Sequence, residues 1–217
     1  MRPRLKEIRP ELRTVLAVNL RELKRSRTRQ ALVDAAYELF SGQGFEATTI
    51  AEIAARAEVG TRTFFSYFPT KEDLLFPESD ARVRLALSAI ADRGPGEEPA
   101  EVLLRALGEA GDASDDMTGP LAAMRIELTQ QVASVRGRAL QMQWEAQREI
   151  ARHLAAAYPD RLDEVSAAAL VGAFVGAVSG ALMTLLQDPA HRADPAALRA
   201  SMRRATDLAL RPWKKQA

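Results

Sequence analysis

The sequence predicts an all-α protein, on three observations. Apolar residues recur at three- and four-residue spacing along most of the chain, helix-capping signals stand where those runs begin, and no stretch alternates with the period of a strand. The 217 residues are enough for one large domain or two modest ones. Typical helix lengths give about nine helices. They group as a basic extension over residues 1–25, a three-helix head over 26–86 and a helical body over 87–217.

Taken in order, the first helix is marked by Leu32, Val33, Ala36, Leu39 and Phe40, and "SGQGF" stops it at Gly42 and Gly44. Thr49-Ile-Ala-Glu52 is a capping box that opens a short helix with Ile50, Ile53, Ala54 and Ala57 on one face. Another short helix is expected over 61–67. Thr70, with Asp73 three residues on, predicts the cap of a long helix reaching about residue 93, kinked at Pro77. "RGPGEEP" (93–99) and "GDASDDMTGP" (111–120) read as loops around a helix over 100–110, with Pro120 placed for a first turn. Helical pattern then fills 121–135, continues to 158, and returns over 161–187 and 196–210.

The stretch 58–75, "EVGTRTFFSYFPTKEDLL", holds four of the twelve aromatic residues within five positions: Phe64, Phe65, Tyr67 and Phe68. Two short helices joined by "EVG" make a helix-turn-helix. Phe64 and Phe68, four apart, share a face and can pack with Val59 on Ile50, Ile53, Leu39, Phe40 and Phe45. That sends Thr61, Arg62 and Phe65 toward the opposite face, near the end of the second helix that meets base edges in a major groove. Arginine can grip guanine with two hydrogen bonds, and an aromatic ring or threonine methyl can touch a thymine methyl. Thr49, Thr63, Tyr67 and Lys71 suit phosphates, Lys71 from the first turn of the next helix. Phe65 packed inward, Arg62 merely solvated and Tyr67 split between packing and phosphate are the alternatives.

These residues carry a resemblance. "RTRQALVDAAYELFSGQGFEATTIAEIAARAEVGTRTFFSYFPTKEDLL" resembles the N-terminal domain of TetR-family transcriptional regulators. The likeness rests on the helix at residues 35–40, Gly44-Phe45, Thr48-Thr49-Ile50, Ile53-Ala54, Val59, Thr63-Phe64-Phe65, Tyr67-Phe68 and Lys71-Glu72-Asp73-Leu74, and it covers about residues 26–86. It implies a dimer on a double-stranded DNA operator, usually a repressor, with a variable ligand-binding body. Two positions depart from the family pattern. Glu58 stands where a turn glycine is common, and Gly60 stands where a serine often caps the recognition helix. A positive φ at Glu58 would strain the backbone.

Charge is uneven. Residues 1–30 hold ten Lys/Arg and three acids, +7 against a whole-chain net of +1. A basic end suggests a polyanion partner, and a solvated tail fits equally. No cysteine is present, which excludes a disulfide framework and thiolate chemistry. The N-terminus lacks an apolar signal core, so the expected location is the cytoplasm.

"VSAAALVGAFVGAVSGALMTLLQ" (165–187) carries no charge and is long enough for a membrane helix. It is rich in Ala, Gly and Ser and lacks aromatic ends, so no membrane association is expected. Ala168, Gly172, Gly176, Gly180 and Thr184 recur every four residues as a ridge that admits a close helix neighbour. The family resemblance implies a homodimer interface there; packing within one subunit is the alternative.

The body offers no catalytic triad or metal cluster around His153 and His191, no cofactor is expected, and the protein is not read as an enzyme. Met124, Leu128, Met142, Trp144, Phe174 and Met183 are candidates for an apolar effector cavity, or for ordinary core. Arg125 is a candidate for an anionic head group, or for solvent.

Overall fold

The computed structural model describes residues 10–113, 119–188 and 194–213. Three expectations lie wholly or partly outside those residues: the first nine positions of the basic extension, residues 114–118 of the loop at 111–120, and His191. Among the described residues there are nine α-helices and no strand. The chain divides into two compact units, Met1–Leu74 and Leu75–Ala217.

The first unit holds α1 (Pro10–Gln43), α2 (Ile50–Arg56) and α3 (Thr61–Phe65). α1 starts inside the basic extension, earlier than the apolar pattern alone marks. Residues 11–30 contain neither glycine nor a second proline and are rich in Leu, Arg, Lys and Glu, so helix propensity carries it back to Pro10 at the first position. Its end is set by Gly44, at φ +88, whose N–H donates to the Phe40 carbonyl at 3.1 Å. Leu32, Ala36, Phe40, Phe45, Ile53, Ala54, Phe64, Phe68 and Leu74 are buried in this unit.

The long helix expected from Thr70 does not form. The Asp73 carboxylate accepts from both the N–H and the hydroxyl of Thr70, and it opens only a 3-10 turn, Glu72–Leu75. Pro77 then lies between that turn and α4 (Ser79–Ala91), so it separates two elements where a kink was expected. Its ring and missing N–H disfavour a continuous helix through residues 73–77.

The second unit continues with α5 (Pro99–Ala113), α6 (Pro120–Gln131), α7 (Ala133–Ala157), α8 (Glu164–Leu185) and α9 (Pro195–Leu210). α6 and α7 part at Val132, which is extended at φ −108, ψ 117, three residues before the boundary the sequence pattern suggests. Pro120 does open α6. Asp163 caps α8 through the Ser166 N–H at 2.7 Å, and Asp194 caps α9 through Ala196 and Ala197. α8 lies between α7 and α9, while α4 packs on α5 and α7. Leu103, Leu154, Leu170, Val171 and Leu210 are in the buried core of this unit.

Candidate nucleic-acid interface and body cavity

The α2–α3 corner is built by backbone rules before any partner is considered. Thr49 caps α2 by accepting the Glu52 N–H at 3.2 Å, and the Glu52 carboxylate accepts the Thr49 N–H at 2.7 Å. The bond from the Thr49 backbone amide holds the Glu52 carboxyl below the usual carboxylate range. α2 ends in a Schellman turn: Val59 N–H reaches the Ala54 carbonyl at 2.9 Å and Glu58 N–H the Ala55 carbonyl at 3.0 Å. That turn demands a left-handed residue, and Glu58 supplies it at φ 56. The strain that follows from replacing the usual turn glycine is therefore present. Gly60 caps α3 with extended backbone and no side-chain bond.

The aromatic residues then divide by face. Phe64 is 0% and Phe68 1% exposed, whereas Phe65, one step along α3, is 56% exposed. The Phe64 ring meets Phe65 edge-on at 5.4 Å and Phe68 at 6.1 Å. Thr61, Arg62 and Thr63 are exposed beside Phe65. Arginine, two threonine methyl-hydroxyl groups and an aromatic edge thus share the open side of a five-residue helix whose other side is locked into the core.

Two of the other predicted contacts have internal partners. Lys71 Nζ donates to the carbonyls of Phe45 and Thr48 at 2.6 and 2.8 Å and stands 4.3 Å from the Phe45 ring centre. Burial pushes its ammonium below the usual lysine range. Lys71 is therefore a tie between the loop before α2 and the chain after α3. Tyr67 is half-buried, and its carbonyl accepts from Arg29 Nη1 at 3.1 Å. The Arg29 guanidinium stands 4.2 Å from the Phe68 ring centre and that of Arg25 5.9 Å from the Tyr67 ring centre. Arg25 and Arg29 enter the sequence reading only as charge. Their four-residue spacing on α1 was the available sign that both reach the same neighbour.

In the body, a cavity of about 590 Å³ opens among α4, α5, α6, α7 and α8. Arg125, Met142 and Phe174 line it as expected, but Met124, Leu128, Trp144 and Met183 do not. Trp144 is 60% exposed on α7, with the Arg148 guanidinium 5.0 Å from its ring centre. Met183 is exposed as well. Both belong to helices whose opposite faces meet the cavity, so the helices are correctly chosen and the faces are not. Phe76, Val83 and Leu87, on the segment leading into α4 and on α4 itself, complete the apolar wall. Val83 and Leu87, four residues apart, share one face of α4, and Phe76 joins them from the segment before it. His153 is half-buried, with Nδ1 2.9 Å from the Glu149 carbonyl.

On α8, Ala168, Gly176, Gly180 and Thr184 are exposed and Gly172 is half-buried. A Cβ placed at any of the three glycines meets nothing within 4 Å beyond the helix's own backbone. The alternative in which this ridge packs inside its own subunit is thus not met by the described residues. α8 is also apolar and long enough to cross a membrane by length and composition. Flanked by α7 and α9 in a helical bundle, that single helix is weak evidence of one.

A helix-turn-helix head joined to a wholly helical body defines a class of regulators, and comparison with known proteins narrows it. The family described as bacterial regulatory proteins, tetR family, matches residues 32–76. The chain is 33% identical over 150 residues to the HTH-type transcriptional regulator TcmR of Streptomyces glaucescens, covering 67% of this chain and 66% of that protein, just under two thirds of its length. It is 46% identical over 48 residues to the HTH-type transcriptional regulator HbdR of Aromatoleum sp. (strain CIB), or 22% of this chain and 21% of that one. Among solved structures, that of Thermus thermophilus FadR, a TetR family transcriptional repressor in complex with lauroyl-CoA, shares the fold. Its TM-score is 0.56 at 23% identity, over 87% of this chain and 96% of that one. Residues 32–76 are thus a DNA-binding domain of the TetR family of bacterial regulatory proteins, and the chain as a whole is similar to transcriptional regulators of that kind.

Proposed function

We propose that the protein is a homodimeric repressor that reads a palindromic operator through α3 and is released from it by a small apolar or amphipathic effector held in the body cavity. The observation that carries the reading is the division of α3: Phe64 fully buried, with Thr61, Arg62, Thr63 and Phe65 exposed together beside it. Thr61, Arg62 and Phe65 meet bases. Thr63, the Tyr67 hydroxyl and the edge of α2 near Thr49 meet phosphates. Lys71 acts indirectly, by holding the loop before α2.

Dimerisation through α8 is supported by the open ridge at Ala168, Gly172, Gly176, Gly180 and Thr184. Two such heads must lie about 34–36 Å apart, or a multiple of it, to enter successive major grooves. The cavity's volume and apolar wall suit a small organic molecule, as does the fold shared with a repressor solved in complex with lauroyl-CoA. Met142 and Phe174 form part of its apolar wall. The chain works in the cytoplasm, where its operator is, without a resident cofactor.

Selection of bound sequences from a random DNA pool at fixed salt tests the core of this reading. A palindromic consensus is the expected outcome. Enrichment of single half-sites would remove the dimer, and no enrichment would remove base reading by α3.

A further inference from the structure

We propose that Arg125 is the residue that converts effector binding into release of DNA, and that the effector it answers to carries a single acidic group on an apolar body. This rests on the repressor reading above. Arg125 is 8% exposed, on α6, and its guanidinium forms part of the cavity wall. The same group reaches the backbone that leads to the head. Nη1 donates to the carbonyl of Leu75 at 3.1 Å, and the guanidinium stands 5.8 Å from the ring centre of Phe76, another cavity residue. Leu75 is fully buried and is the first residue of the second compact unit, directly after Leu74 of the first. One side chain therefore touches both the space where a ligand sits and the point where the chain leaves for the head.

The chemistry of the pair makes it a switch. A carbonyl is a neutral acceptor, whereas hydrogen bonds between arginine and a carboxylate are charge-assisted and about twice as strong. A carboxylate entering the cavity competes for the guanidinium fork, and the Leu75 carbonyl loses its donor. A ligand that draws the guanidinium off the Leu75 carbonyl favours one state over the other, which is the differential interaction any ligand-driven shift requires. Leu74 and Leu75 are both fully buried and adjacent in the chain, so a displaced Leu75 carbonyl is felt directly at the last residue of the head. The wall also carries the carboxylates Asp80, Glu145 and Glu149, which disfavour a polyanionic ligand.

The test uses the full-length protein and its selected operator, with affinity read by fluorescence anisotropy well below the melting temperature. Arg125→Met keeps the bulk and removes the donor; Arg125→Lys keeps a donor. Without ligand, Arg125→Met is expected to bind operator about ten-fold or more weakly, a typical coupling size, and Arg125→Lys to recover most of that loss. Decanoate and decanol, at matched concentrations below micelle formation, then separate charge from apolar bulk. Decanoate is expected to weaken wild-type operator binding about ten-fold, decanol not to, and Arg125→Met to ignore both. Three results overturn the proposal: wild-type operator affinity in Arg125→Met, equal action of decanol and decanoate, or no action of decanoate on wild type. Should Arg125→Met lose helicity by circular dichroism, the decanoate-against-decanol comparison on wild type and Arg125→Lys decides alone, Arg125→Lys being expected to keep a weakened response to decanoate. Failure of the wild type to bind any DNA is a different result and retires the repressor reading itself.

Discussion

Arg62 and Glu58 sit four residues apart and fail in opposite ways when changed. On the proposed role, Arg62→Ala costs about 1–3 kcal/mol of operator binding and relaxes preference at one base pair. Unchanged affinity with an unchanged consensus would make Arg62 a solvated bystander. Glu58 touches stability. At φ 56 it occupies the position of a Schellman turn that favours glycine, so Glu58→Gly removes a strain of about 1 kcal/mol, less the extra backbone entropy glycine loses on folding. A small rise in urea midpoint with unchanged slope is the expected result, and a fall would mean that the glutamate side chain is worth more than its backbone costs. Both positions were legible without coordinates, because a motif fixes the face of Arg62 and a turn fixes the backbone of Glu58. Lys71 was not. Its type suits a phosphate, and only the fold shows two carbonyls, of Phe45 and Thr48, aimed at its nitrogen.

At the scale of elements, what the sequence conveys best is where helices begin. The box at Thr49 and Glu52 and the proline at Pro120 fall where local chemistry puts them, because capping needs only residues a turn apart. Thr70 and Asp73 show the limit of that logic: the same pairing forms, but the helix behind it stops after one turn at Pro77. Which face of a helix meets a cavity is less local still. Trp144 and Met142 differ by two residues and point opposite ways, a distinction set by where α4 and α8 lie. Capping also makes stability depend on pH. The bond from Ser166 holds the Asp163 carboxyl below its usual range, as the one from Thr49 does for Glu52. A carboxylate with a depressed native pKa stabilises the fold above its unfolded pKa and loses that contribution as pH falls through the native one. Asp163→Asn keeps a capping oxygen and removes the titration, so its melting temperature is expected to fall less steeply than wild type between about pH 5 and 3. Parallel curves would show that other carboxylates govern acid unfolding. On α8, the three ridge glycines cost about 1 kcal/mol each relative to alanine, a cost that only close packing offsets. Gly176→Leu is expected to raise the dimer dissociation constant, and sedimentation showing an intact dimer at low concentration would move the interface elsewhere.

For the whole molecule, the decisive property is how the body and the head share free energy. If an effector in the cavity and an operator on α3 favour different states of one protein, each must weaken the other by the same factor, since both factors close one thermodynamic cycle. The effector's dissociation constant, measured by calorimetry with and without saturating operator, should therefore change by the ratio that anisotropy gives for operator with and without saturating effector. Couplings of this kind are finite, about 5–150-fold, so operator affinity is expected to fall with effector concentration and then level off. A fall that continues without a plateau would mean that effector and operator compete for one surface, which would place the effector at the exposed face of α3. Unequal factors would mean that a third species, such as a dissociated monomer, is being populated, and repeating the titration at several protein concentrations would reveal it. The plateau is thus the observation that separates a cavity-bound effector acting through the connector from a molecule that merely covers the reading helix.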